Sequence, residues 1–118
     1  MLELWRRFGR NYQEEYGIEV SPTPITTGET VTVKYNGFLA QNGAREIILH
    51  AGYGTGNQWN PVFDVPMNKL PDGSFQADIA IDTDTQFHFC FTDGESWDNN
   101  YGKNWTYEVH NGLNAYRY

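Results

Sequence analysis

The feature that most constrains the fold is a repeated alternation of apolar and polar side chains. In residues 29–35, 74–81 and 86–92 every second residue is apolar, as in a strand with one face buried. Turn signals rich in Asn, Asp, Gly and Pro separate such segments. Because no helical pattern lies between them, the sequence predicts an all-β, antiparallel sandwich. The predicted strands cover residues 29–35, 45–52, 62–70 (interrupted), 74–81, 86–92 and 105–110.

The beginning of the chain follows a different pattern. Between residues 2 and 16 apolar side chains recur at spacings of three and four, which predicts a short amphipathic helix. The sequence Ser-Pro-Thr-Pro at residues 21–24 disfavours a helix and predicts an extended connector. We therefore expect an N-terminal helical or extended segment with its connector over residues 1–24, and the sandwich over residues 25–118.

The charge balance excludes several partners. The chain has 8 Lys and Arg against 15 Asp and Glu, a formal net charge of −7. Binding to phosphates depends on basic side chains that release counterions, so neither nucleic acid nor an anionic membrane is expected as a partner. The single cysteine, Cys90, excludes an internal disulfide, and no secretory signal is evident. We expect a cytoplasmic protein, or a secreted one if the chain is cut from a larger protein.

Aromatic residues are unusually abundant, at 16% of the chain with four Trp. A core of this size holds only part of them, so several rings are expected at the surface. Trp59 and Trp97 lie outside the alternating segments, in loops rich in Gly and Asn at residues 52–60 and 93–104. Trp105 keeps the alternation of a strand and is expected in the core. The two loop tryptophans are therefore the predicted surface rings.

Exposed tryptophans flanked by short polar side chains are typical of a site for neutral sugars. A pyranose has an apolar C–H face that stacks on an indole, and its rim hydroxyls bond amides, carboxylates or imidazoles. His50 directly precedes the first of the two loops, so we expect it to bond a hydroxyl. His88 and His110 have no comparable neighbours and are assigned structural roles.

A set of motifs extends in order over residues 28–110. They are ILHAGY at 48–53, Trp59 nine residues after the histidine, Met67, DGSF at 72–75, FCFTDG at 89–94, WDNN at 97–100, Gly102, and NW at 104–105. Together they resemble the starch-binding carbohydrate-binding modules of families 25 and 53. The resemblance implies an immunoglobulin-like β-sandwich that binds α-1,4-linked glucan.

The resemblance also implies the residues of the site. Two tryptophans and a histidine would form the platform, and the residues after the second tryptophan would shape its loop or bond hydroxyls. Tyr53 is a further candidate stacking surface. We expect starch, glycogen or a malto-oligosaccharide as the ligand, no cofactor, and self-association or an enzyme partner through the N-terminal segment. The candidate carbohydrate-binding residues are His50, Trp59, Trp97, Asp98, Asn99 and Asn100.

The acidic residues allow two other interpretations. A glycosidase needs two carboxylates on opposite sides of a cleft, and Asp93, Glu95 and Asp98 all lie in one loop. So short a chain supplies no opposite wall, so we expect no catalytic residue and no enzyme activity. Calcium could bind Asp82 with Asp84, or Asp93 with Asp98, but no complete ligand pattern is present and no metal site is predicted.

The main alternative function is an immunoglobulin-like protein-interaction module that uses the same aromatic loops. Tryptophan and tyrosine are common at protein contacts. The rings of such contacts usually have apolar neighbours, whereas Asn, Gln, Asp and Gly surround Trp59 and Trp97. The sequence therefore favours sugar binding.

Overall fold

The computed structural model describes residues 13–15 and 17–112, with side chains described over residues 17–112. Within these residues two sheets pack against each other. The elements are β1 (Gln13–Glu15), β2 (Ile18–Ser21), β3 (Ile25–Thr26), β4 (Thr30–Tyr35), α1 (Phe38–Gln41), β5 (Ile48–Tyr53), β6 (Val62–Pro66), β7 (Asn68–Lys69), β8 (Phe75–Ala80), β9 (Gln86–Thr92), β10 (Trp97–Asp98) and β11 (Trp105–His110). All six predicted segments contain strands, and the predicted all-β sandwich is confirmed. The immunoglobulin-like connectivity stays a prediction.

The two sheets differ in their strand directions. The first sheet has the order β1-β2-β4-β8-β7 and is antiparallel. The second has the order β3-β11-β9-β5-β6, with β10 also paired to β9. Here β3 pairs with β11 in parallel, whereas every other described strand pair is antiparallel as predicted. No hairpin joins β3 to β11, because the chain passes from β3 into β4 of the other sheet.

The core lies between the sheets and follows the alternation in the sequence. In β4, Val31 and Val33 are fully buried, and in β9 Phe87, Phe89 and Phe91 are fully buried. These side chains point inward at every second residue, as a strand requires. The opposite faces of the same strands are therefore available for a binding site, and in the second sheet that outer face carries the predicted aromatic residues.

The predicted helix over residues 2–16 is wrong where the structure describes it. Residues 13–15 form β1, which pairs with β2. Residues 1–12 and 16 lie outside the described residues. In β2, Ile18 and Val20 are fully buried, so residues assigned by sequence to the N-terminal segment contribute to the core of the sandwich. Pairing of β2 with β4 explains this, because it places one face of β2 on the core.

Besides β1, β2 and β3, two short elements near Trp97 were not predicted. The helix α1 is one turn long, too short to show a helical period, and β10 has only two residues. They lie close to each other, and both contribute to the surface around Trp97. In the described part of the chain, no helix has the length and apolar character needed to span a membrane.

Candidate functional site

The site is built on the outer face of β5 and β9. The alternation of β5 buries Leu49 and Ala51 and turns His50 and Gly52 to the outer face. Across the sheet, His50 lies beside Cys90. Burial raises the pKa of the Cys90 thiol to about 11, so the thiol stays protonated at neutral pH and is unreactive.

Three aromatic rings lie together on this face. The His50 ring centroid is 5.8 Å from that of Trp59 and 5.4 Å from that of Trp97. The sequence predicted these three residues as one platform, and the structure brings them together. The Trp59 plane is tilted by 30° from the His50 plane, whereas the Trp97 plane is tilted by 76°. The two indole planes therefore cannot be parallel.

The position of Trp59 is fixed by the sheet beneath it. Its ring stacks on His88 with centroids 5.4 Å apart and planes 13° apart. It also lies directly over Gly52, where a Cβ atom would approach the Trp59 Cβ to 2.7 Å. One face of the indole is thus supported by protein, which leaves the other face for a ligand.

His88 was assigned a structural role by sequence, and the structure shows what that role is. Its side chain is buried, and Nε2 donates to the carbonyl of Gly54 at 2.9 Å, since a carbonyl can only accept. Its Nδ1 is 2.9 Å from the Thr106 hydroxyl. These bonds hold the imidazole as a rigid base for Trp59. Strand register, which the sequence does not display, places His88 opposite Gly52 and hence under this loop.

Asp64 was not recognised from the sequence. It lies opposite His50 in the register of β5 and β6, and its Oδ1 is 2.5 Å from His50 Nδ1. An ionised carboxylate only accepts, so Nδ1 carries the proton of this bond. The bond orients the His50 ring and leaves Nε2 for a ligand hydroxyl.

Trp97 and Asp98 point to opposite sides of β10. Trp97 is half exposed on the outer face, whereas Asp98 is buried on the inner side. The Tyr35 hydroxyl donates to Asp98 Oδ2 at 2.7 Å and accepts from the backbone N–H of Leu39 at 3.2 Å. Asp98 therefore anchors the loop, which is one of its two predicted roles, and its bonding of a ligand hydroxyl stays a prediction.

The residues after Asp98 form a loop held by side-chain amides. Asn99 Oδ1 accepts from the backbone N–H of Gly102 at 2.9 Å, and Asn100 Nδ2 donates to the carbonyl of Asn104 at 3.2 Å. Asn100, Tyr101 and Asn104 adopt left-handed backbone conformations with φ of 58°, 58° and 59°. Asparagine tolerates this region better than most residues, which explains the Asn-rich sequence.

Tyr53 is not a stacking surface. It is buried on the inner face of β5, and its hydroxyl donates to the carbonyl of Ala80 at 3.0 Å and accepts from the backbone N–H of Asp82 at 3.2 Å. The alternation of β5 gives the reason, because residues 49, 51 and 53 share the face opposite to His50.

Two of the carboxylates considered for catalysis or calcium, Asp93 and Asp98, are engaged in a turn and in the core. Asp93 Oδ1 accepts backbone N–H bonds from Ser96 at 2.7 Å and Glu95 at 2.9 Å, and these bonds lower the pKa of Asp93. Asp98 is held by Tyr35. Among residues 17–112, no group of three or more His, Cys, Asp or Glu side chains is arranged to hold a metal ion.

Removal of the Tyr35 hydroxyl tests how strongly the loop is anchored. Tyr35→Phe leaves the Asp98 carboxylate buried without its donor and the Leu39 N–H without its acceptor. We expect the free energy of unfolding to fall by about 1–3 kcal/mol, measured by urea denaturation. The matched control is Tyr101→Phe, at a side chain that is 95% exposed, and its stability should stay close to that of the parent. An unchanged stability in Tyr35→Phe would show that this anchor is dispensable.

Comparisons with known proteins identify the family of the chain. The model of the family described as starch/carbohydrate-binding module (family 53) matches residues 31–89, half of the chain. An alpha-amylase of Clostridium acetobutylicum is 36% identical over 92 residues, which make up 77% of this chain and 11% of that protein. No solved structure gives a significant match. The resemblance inferred from the motifs is confirmed, and the chain belongs to the starch/carbohydrate-binding modules of family 53.

Proposed function

We propose that the chain binds α-1,4-linked glucan by stacking consecutive sugar faces on Trp59 and Trp97. The observation that carries this proposal is the cluster of three rings on one sheet face, with both indoles in contact with His50. The apolar faces of two sugar units would rest on the two indoles, where the negative π face meets the C–H bonds. The wider family of starch- and carbohydrate-binding modules supports the ligand class.

The polar groups around the rings would fix the orientation of the sugar. His50 Nε2 is free for a hydroxyl because Asp64 holds Nδ1. The side-chain NH2 of Asn99 and the Oδ1 of Asn100 have no partner within the described residues, so each can bond a rim hydroxyl. Such a site combines two flat indole rings with a few fixed polar groups, as the binding of neutral sugars requires.

The tilt between the indoles favours an α-linked chain. In a β-1,4-linked glucan the chain is a flat ribbon, so its sugar faces lie in parallel planes. In an α-1,4-linked glucan the chain curves, and successive faces turn relative to each other. Trp59 and Trp97 cannot be parallel, given their tilts of 30° and 76° from His50. Two inclined indoles can each stack on one sugar of a curved chain, whereas a flat ribbon can stack on only one of them.

We propose that the chain binds glucan without cleaving it. The backbone N–H bonds from Ser96 and Glu95 lower the pKa of Asp93, so this carboxyl is a poor proton donor, and the Asp98 carboxylate accepts the Tyr35 hydroxyl. A shallow site of this kind has a Kd on the order of 10–100 μM for a short oligosaccharide. Retention on a polymer would then rely on several linked sites or on a tethered enzyme. The match to one part of an alpha-amylase is consistent with such tethering.

Isothermal titration with maltoheptaose and cellohexaose tests the proposal. The two sugars share the glucose unit and differ in chain shape, so any difference in binding reports the tilt of the platforms. We expect binding of maltoheptaose with a Kd on the order of 10–100 μM and no measurable heat with cellohexaose. Equal binding of both sugars would contradict the α-specific platform. No binding of either sugar would favour the protein-interaction module.

A further inference from the structure

A recess lies beside the platform formed by His50, Trp59 and Trp97. It is a cleft of about 490 Å³ between α1 and the loop after β10, within the range of pockets that take small ligands. Trp97 lines it, but His50 and Trp59 do not. Phe38 of α1 is 51% exposed and Tyr101 is 95% exposed, and both line the same cleft. Two exposed rings at one recess are unusual for a small soluble domain.

The polar lining of the cleft, over residues 17–112, consists mainly of amides. They come from Asn36, Gln41, Asn99 and Asn100, and no basic side chain of these described residues lines the cleft. The one carboxylate among the described lining residues is Asp98, which accepts the Tyr35 hydroxyl. This part of the lining thus resembles the platform, with flat rings and amide groups that suit a neutral ligand.

Trp105 carries a buried donor at the same place. Its side chain is 3% exposed and belongs to the cleft lining, and its indole N–H has no acceptor within the described residues. This N–H is shielded from solvent, so Trp105 closes the floor of the cleft and offers no open donor to a ligand.

We propose that this cleft, the Phe38–Tyr101 cleft, is a second sugar-binding site that takes further units of the same glucan chain beyond Trp97. The inference rests on the proposed function of the platform. Trp97 lines both sites, so a chain stacked on its indole can continue into the cleft without leaving the protein surface. Phe38 and Tyr101 provide the next stacking faces, and Gln41 and Asn36 bond the rim hydroxyls. Long oligosaccharides then engage both sites, whereas short ones engage only the platform.

The test compares maltotriose with maltoheptaose by isothermal titration, in the parent and in the double variant Phe38→Ala/Tyr101→Ala. A heptasaccharide offers several overlapping trisaccharide frames, so part of its advantage is statistical and remains in the variant. The affinity ratio is the Kd for maltotriose divided by the Kd for maltoheptaose. We expect this ratio to be about tenfold larger in the parent than in the variant. The Kd for maltotriose should change by less than about twofold. Asn68→Ala, an exposed amide on the other sheet, is the control and should keep the parent ratio.

The outcomes separate the two proposals. An unchanged ratio in the double variant would overturn the cleft and leave the platform intact. An equal loss for both sugars would also overturn it, because the two rings would then support the platform rather than bind additional units. If the parent binds neither sugar, the platform proposal fails and the cleft fails with it. Both replaced side chains are exposed, and a thermal melt close to that of the parent checks that the variant folds.

Discussion

Trp97→Ala lowers the affinity for maltoheptaose by about 30-fold or more, while the domain stays folded. The indole is half exposed and stands on the outer face of β10, so its removal leaves no cavity in the core. It takes away one of the two stacking faces and the ring in edge contact with His50. Trp59→Ala is expected to cause a loss of similar size, since Trp59 provides the other face. Titration calorimetry and thermal melting of the same samples check both results.

Trp105→Ala is the matched control among the tryptophans. This ring is buried against Phe89 and Phe91, so its loss should cost about 3–5 kcal/mol of stability. The comparison separates a ring that binds ligand from a ring that supports the core. If Trp97→Ala instead destabilised the domain as strongly as Trp105→Ala, Trp97 would be a core residue and the platform assignment would be wrong.

The fold could be predicted well because its strands carry a strong period of two. Residues 86–92 and 105–110 form strands with the predicted bounds, since Phe87, Phe89 and Phe91 mark the inward face without ambiguity. The N-terminal segment was harder to predict. Apolar residues at helical spacing also occur in strands and turns, and residues 13–15 pair with β2 instead. Tertiary pairing overrides a weak local pattern of this kind.

The site could be predicted only in part. His50, Trp59 and Trp97 stand out as polar or aromatic residues in unusual places, and the structure brings the three rings together. Tyr53 was misassigned because the direction of its side chain depends on the alternation of β5, which the neighbouring loop residues obscured. Asp64 and His88 support the rings from neighbouring strands, and only the register between strands reveals that. The cleft beside α1 is formed by segments that are far apart in the sequence. No local sequence pattern therefore predicts it.

Gly52→Ala is expected to weaken maltoheptaose binding by about tenfold without unfolding the domain. Gly52 does not adopt a positive φ, so alanine brings no backbone strain at this position. The added Cβ would lie 2.7 Å from the Trp59 Cβ and 2.9 Å from its Cε3, and this contact forces the indole to move. The ring would then leave its stack on His88 and lose its position beside His50. Titration calorimetry measures the loss, and we expect a stability cost of about 1–3 kcal/mol.

Gly56→Ala in the same loop is the control for this prediction. Gly56 adopts φ of 67°, and no atom lies within 4 Å of the Cβ position. Alanine there strains the loop backbone by about 1 kcal/mol but does not touch Trp59, so the affinity should stay within about twofold of the parent. Loss of binding in Gly52→Ala alone therefore attributes the effect to the position of the ring. Parent-like affinity in Gly52→Ala would mean that the position of Trp59 does not affect binding. The proposal of a platform built on two tryptophans would then be wrong.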